Sequence, residues 1–367
     1  MHTRNTILVV VLVAIVGVVL VIKRSKPDQS NVFSEAVNVA KHTSIAKSMR
    51  YEQAKELAGI DGYLNTNGKE IKIADLVGSK VILVDFWTYS CINCQRTLPY
   101  LTSWYEKYKD QGLEIIGVHT PEFDFEKEAD NVQAAIEKFG ISYPVVQDNE
   151  YATWQAYKNR YWPRKYLIDI DGYIVYDHIG EGGYEETEKK IQGLLKERAE
   201  TLKEAREISS DVVYPNTELD SPGQAGSPEI YFGAFRNERL GNGTRGAVGV
   251  QTFPVPDTIK TNTLYLVGEW DIQKEYAESV SDDARIIFRY NAQDVFAVAS
   301  ARESVVAPVT IDGQSVGSEG GADIGVGGLY LEHEERLYRI IENMKTDEHT
   351  LEITVPSGVQ FYTFTFG

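Results

Sequence analysis

Apolar and polar positions along the chain fall into three regimes. Thr6–Ile22 is an uncharged apolar run of 17 residues, at the short end for a membrane-spanning helix. A middle regime mixes periods. Val81–Phe86 is almost continuously apolar, the pattern of a central strand buried on both faces. Leu98, Leu101, Trp104 and Tyr105 then recur at helical spacing, with Pro99 expected to kink the helix. Leu113–His119 reads as a strand, Phe125–Phe139 as a helix, Tyr143–Asp148 as a strand and Tyr151–Tyr157 as a helical turn or two. Tyr166–Ile170 and Tyr173–Asp177 flank Asp171-Gly172 as a hairpin, and Tyr184–Glu207 is a long amphipathic helix. Upstream, Met49–Leu57 reads as a short helix and Gly59–Asp75 as a hairpin turning at Asn67-Gly68. The order β, β, α, β, α, β, α, β, β, α predicts an α/β domain with parallel central strands and an antiparallel hairpin on one edge.

The third regime begins after Ser209–Pro228, a stretch rich in Pro, Gly, Ser and Asp. Eight short strands are expected from there: Ile230–Phe235, Thr263–Val267, Arg285–Tyr290, Val295–Ala299, Val305–Ile311, Tyr338–Ile341, Thr350–Val355 and Gln360–Phe366. They predict an all-β antiparallel sandwich. The chain therefore divides into a membrane anchor (1–26), a spacer (27–58), an α/β domain (59–208), a linker (209–228) and a β-sandwich (229–367).

Charge and cysteine content narrow the function. Lys and Arg number 37 against 54 Asp and Glu, a net charge of −17, which argues against nucleic acid as a partner. Cys91 and Cys94 are the only cysteines among the 367 residues, and two cannot make a disulfide scaffold. A structural zinc site needs four ligands; this pair supplies two, and the six histidines (His2, His42, His119, His178, His333, His349) show no ligand spacing. No metal and no organic cofactor is expected.

The two cysteines sit where a strand turns into a helix. A helix N-terminus offers unpaired N–H groups and a positive dipole end, which favours a thiolate at Cys91. Cys94, one turn on, is placed to close a disulfide with it. Strand, C-x-x-C and helix together read as a redox-active dithiol, with Cys91 as nucleophile and Cys94 as resolving thiol. Asp85, at the end of the preceding strand, is a candidate proton acceptor for Cys94. His119 reads as a strand-end histidine.

These residues resemble the thioredoxin superfamily, and within it the membrane-anchored TlpA-like thiol–disulfide oxidoreductases, over roughly Ile60–Leu202. The likeness rests on VDFW before the motif, the C-x-x-C, Asp85 six residues before Cys91, Pro99 eight after it, and Trp162-Pro163 before a strand. It also rests on the extra stretch Thr120–Ser142. It implies a thioredoxin-like central mixed sheet flanked by helices, a cis-proline at Pro163 shaping the substrate groove with Trp162, and an acid near the disulfide at Glu122. Tyr89 is a further groove candidate. The chain departs from the family at Ser90, where a tryptophan usually precedes the first cysteine.

The C-terminal half resembles the carbohydrate-binding-module-like β-sandwich of DipZ-type proteins. Pro228–Gly233, Gly268–Ile272 and Gly358–Gly367 carry this likeness. Tyr231, Trp270, Tyr330 and Tyr362 could stack on sugar rings, but alternation puts half of all strand residues inside, so sandwich core is the better reading for most of them. The expectation is a single-pass, membrane-anchored, extracytoplasmic thiol–disulfide oxidoreductase that reduces protein disulfides. It would be recharged by a separate CcdA/DsbD-type membrane electron donor. Lys23, Arg24 and Lys26 behind the anchor would by themselves favour a cytoplasmic body, so the extracytoplasmic reading rests on the redox motif. A thiol peroxidase, or an anchored glycan- or protein-binding module supported by the thioredoxin-like domain, are the alternatives.

Overall fold

The computed structural model describes residues 46–216, 225–342 and 344–367. The run Thr6–Ile22 lies outside them, and so do the expected anchor and most of the spacer. Among the described residues no helix is long and apolar enough to cross a membrane.

The N-terminal domain runs β1 (Gly62–Leu64), α1 (Ile73–Leu76), β2 (Val81–Trp87), α2 (Ile92–Tyr108), β3 (Leu113–His119), α3 (Ala129–Lys138), β4 (Val145–Gln147), α4 (Ala152–Ala156), β5 (Arg164–Ile168), β6 (Ile174–Ile179) and α5 (Tyr184–Leu202). Its sheet has the order β1-β4-β3-β2-β5-β6. β2, β3 and β4 are parallel, and the β5–β6 hairpin is antiparallel on one edge. β2 sits inside the sheet and every residue of it is buried, as its apolar run requires. Alternation along β2 sends Val81, Leu83 and Trp87 to the face covered by α2 and α5, and Ile82, Val84 and Phe86 to the other. Asp85 shares the parity of Leu83 and Trp87, so the pleat itself aims it at α2.

Several expectations need correction. Gly59–Asp75 is not a hairpin. Asn65, Asn67 and Gly68 do turn the chain, all at positive φ. β1, however, pairs with β4 from the far edge, and Ile73–Leu76 is helical. A turn signal dictates reversal, but the partner strand is chosen by the hydrophobic face it can cover. Tyr184–Glu207 is helical only to Leu202, where Lys203 adopts a left-handed conformation (φ 56°).

The C-terminal domain is β-rich, with more strands than the eight expected. Leu264–Ile272 is its pivot. Leu264–Val267 pairs with Ala284–Asn291, and Gly268–Ile272 pairs with Gly249–Phe253 and, over its last residues, with Ala277–Ser279. Gly268 between the halves has φ +86°, and a Cβ there would lie 3.1 Å from the Ala284 Cα. The bend passes the strand from one layer to the other. The layers face each other: Phe288 meets Phe364 and Phe366 at 6.0 and 5.5 Å, although their strands do not pair. Val305–Ile311 is two strands, because Pro308 cannot donate to a ladder. Val305–Ala307 joins a separate small sheet and Val309–Ile311 joins Glu348–Val355.

The domains are joined by a packed seam. Ile92 and Phe123 of the first bury against Phe296, Val298, Leu337 and Tyr362 of the second. The Tyr362 ring lies 5.3 Å from Phe123 and 4.9 Å from Phe125. Arg96 on α2 pairs with Asp294 at 3.5 Å and lies over the Phe296 ring.

Candidate active site

α2 starts at Ile92, so Cys91 is its N-cap residue (φ −80°, ψ 118°). Its Sγ accepts the Cys94 backbone N–H at 3.4 Å, the bond a capping acceptor makes at a helix start. Both cysteines are free thiols, Cys91 partly exposed and Cys94 buried. Burial, reinforced by the hydrogen bond with Cys91, pushes the Cys94 thiol well up.

Behind Cys94 lies Asp85, 1% exposed, with neither carboxylate oxygen hydrogen-bonded. Burial pushes its pKa up to about 7, against the opposing pull of Lys165. Lys165 is the residue directly across the β2/β5 ladder. Opposed residues of an antiparallel pair share a face, so this lysine also points inward. It is fully buried, donates to the Gly180 carbonyl at 3.1 Å, and is held below the ordinary lysine value by burial. His119 is buried at the end of β3, stacked on Tyr89 at 5.7 Å, and burial holds it down to about 3. It is neutral and packed.

In front of the dithiol the polar groups are paired. Glu126 is fully buried and accepts from the Ser90 hydroxyl at 2.6 Å and the Phe123 N–H at 3.1 Å, with Glu122 N–H on the same carboxylate. Burial moves it up to about 7 despite these bonds. Ser90 immediately precedes Cys91, so Glu126 braces the loop that presents the thiol. Glu122 accepts from Arg236 and from the Tyr231 hydroxyl, both at 2.8 Å. That hydroxyl also lies 2.9 Å from Glu229, so one phenolic hydrogen serves two carboxyl groups. Trp162-Pro163 is a cis peptide, and the Trp162 indole donates to the Thr120 carbonyl at 3.0 Å.

The structure brings Cys91, Glu122 and Trp162 to one cavity of about 370 Å³. Asp85 and Cys94 lie beneath it. Tyr89 is elsewhere: it is buried against His119 and Phe125 and borders a second groove with Asn131 and Glu334. Glu126, Lys165, Tyr231 and Arg236 were not singled out from the sequence for this site. Lys165 had a readable signal, an inward parity shared with Leu167 in an apolar strand. Glu126 had none. Of the four aromatic glycan candidates, Trp270 and Tyr362 are buried, Tyr231 walls the thiol cavity, and Tyr330 is 46% exposed. The acidic trio Asp169, Asp171 and Glu197 is bound by the Lys47 ammonium at 2.5–2.7 Å.

Residues 52–177 match the AhpC/TSA family, and residues 227–367 match a family described as a thioredoxin-like C-terminal domain. The chain is 34% identical over 129 residues to the thiol-disulfide oxidoreductase ResA of Bacillus thuringiensis. That alignment covers 35% of this chain and 69% of ResA. The chain belongs to the TlpA/DipZ-type thioredoxin-like thiol–disulfide oxidoreductases. Protein DipZ of Mycobacterium tuberculosis is 38% identical over 315 residues, covering 86% of this chain and 43% of DipZ. This chain thus spans under half the length of that relative. The thiol-disulfide oxidoreductase YkuV of Bacillus subtilis is 29% identical over 142 residues, covering 39% of this chain and 93% of YkuV.

Proposed function

We propose that this protein reduces disulfides of other proteins through the Cys91–Cys94 dithiol, with its body outside the cytoplasm and tethered by Thr6–Ile22. The observation that carries the reading is the disposition of the thiols: Cys91 opens into a cavity at a helix N-cap, and Cys94 lies buried above an unpaired carboxyl group. A Cys91 thiolate attacks one sulfur of the substrate disulfide. That bond breaks, the second substrate sulfur leaves and takes up a proton, and Cys91 is held in a mixed disulfide. Cys94 then gives its proton to the Asp85 carboxylate and attacks Cys91. The first substrate sulfur leaves as a thiolate and takes up a proton from solvent, Asp85 holds the Cys94 proton, and the Cys91–Cys94 disulfide remains. Two electrons have passed to the substrate, and an external dithiol, a CcdA/DsbD-type membrane donor, must return them. Trp162 lies outside the strand ladders beside Pro163, which leaves its backbone available for β-like pairing with a substrate segment.

The test is the reduction potential of the Cys91–Cys94 couple, titrated against dithiol buffers in a fragment from Lys47 onward. A value near about −270 mV supports a reductant; one near about −120 mV reverses the direction. A pair that does not cycle removes the enzyme reading altogether.

A further inference from the structure

The cavity over Cys91 belongs to two domains. One wall is Ser90, Cys91, Glu122 and the loop at Trp162. The other is Glu229, Tyr231, Val298, Thr363 and Thr365, all from the C-terminal β domain. This second wall is anchored. Glu122 is gripped by Arg236 and Tyr231, and the guanidinium lies 3.7 Å from the centre of the Tyr231 ring. The Glu275 carboxylate takes the Asp124 backbone N–H at 2.9 Å. Ile92, between the two cysteines, is buried in the interdomain seam with Phe296 and Val298. At about 370 Å³ the opening is at the lower end of small-ligand clefts. Even a transient redox encounter buries up to about 600 Å² on each partner, and on this side of the sulfur a folded partner would have to sit beside Glu229, Tyr231, Thr363 and Thr365 of the β domain.

We propose that the C-terminal β domain is the second wall of the substrate site and restricts it to slender disulfides, in which the reacting sulfur sits on a small molecule or an extended peptide segment. This rests on the thiol–disulfide reading above and specifies its substrate class. Tyr231 and Thr365 are the specificity-determining residues. Tyr231 holds the wall against Glu122, and Thr365 lines the slot from the C-terminal strand Val359–Phe366.

The experiment compares kcat/KM for oxidised glutathione, a linear peptide dimer joined by one disulfide, and insulin as a folded protein disulfide. Wild type is measured beside Tyr231→Ala and Thr365→Trp, each checked for a cooperative thermal transition. Wild type is expected to favour at least one slender substrate over insulin by roughly tenfold or more. Preference for the peptide alone identifies a protein segment, and preference for glutathione alone identifies a small-molecule source and replaces the protein substrate proposed above; either supports the second wall. Tyr231→Ala should shrink the preference by raising the insulin rate, and Thr365→Trp should slow the slender substrates roughly tenfold. If Tyr231→Ala does not fold, the Thr365→Trp arm decides. Equal wild-type rates on all three substrates, or slender-substrate rates unmoved by Thr365→Trp, overturn the proposal. Cycling against dithiothreitol is measured in parallel: a dithiol that cycles but shows no preference overturns the second wall alone, whereas one that does not cycle overturns the underlying function.

Discussion

The two sides of the dithiol are built on opposite principles. Behind Cys94, Asp85 is buried with no hydrogen-bond partner and faces a buried lysine across the ladder. In front of Cys91, Glu126 and Glu122 are buried or partly buried too, yet each is held by several donors. A buried carboxyl without donors is costly as an anion, so it readily exchanges a proton when a neighbour changes charge. A carboxyl held by several donors fixes the backbone around it, and this bracing rather than its proton affinity sets Glu126 apart, since burial moves it up to about 7 as well. The rear side therefore suits proton transfer and the front side suits presentation of the nucleophile.

Removing the dithiol has the largest effect on this contrast. Cys91→Ser should bring disulfide exchange to background, while Cys94→Ser should accumulate a mixed disulfide with substrate, read by intact mass. Asp85→Asn is next. Turnover at neutral pH should fall on the order of a hundredfold, while stability should rise. The sign follows from the raised value. Asp85 titrates near 7 in the fold and near about 3.9 unfolded, so folding favours its protonated form. That contribution is full below about pH 4 and is lost between about 4 and 7. Above pH 7 the variant should thus exceed wild type by on the order of 1–4 kcal/mol in denaturant unfolding, and near pH 4 the gap should close. A gap independent of pH would remove the strained acid from the comparison.

Glu126→Ala probes the braced side. It strands the Ser90 hydroxyl and the N–H groups of Glu122 and Phe123, and should cost about 1–3 kcal/mol in unfolding free energy. Lys165→Met sharpens the rear side. Without the ammonium that draws Asp85 down, the rate profile limited by Asp85 should move to higher pH, visible in kcat against pH. Tyr330→Ala, on the exposed face of the β domain, should change both stability and exchange by less than about 0.5 kcal/mol.

Part of this site was legible because it is local. Strand, C-x-x-C and helix are contiguous from Val81 to Tyr108, so the N-cap position of Cys91 follows from where the apolar run stops and the helical period starts. The parity of Asp85 within Val81–Trp87 points it at α2 once β2 is read as a central strand. Pro308 is the counter-example: proline cannot donate to a ladder, so a local residue divides the apolar run Val305–Ile311 between two sheets. Glu126 was not legible. Its neighbours Phe125 and Lys127 give no period, and its partner Ser90 is 36 residues away.

What the sequence determined by itself is whatever depends on chain neighbours: the strand, the thiol pair at the helix start, the inward acid, and the short-strand pattern after the linker. Tertiary structure decided everything that joins distant segments. It set β1 beside β4 rather than against its neighbour, laid Lys165 opposite Asp85, and brought Tyr231 and Arg236 onto Glu122. Hydrophobic periodicity marks which face of an element is buried but not what covers it. The wall opposite Cys91 is a matter of covering, and only the packing of the two domains supplied it.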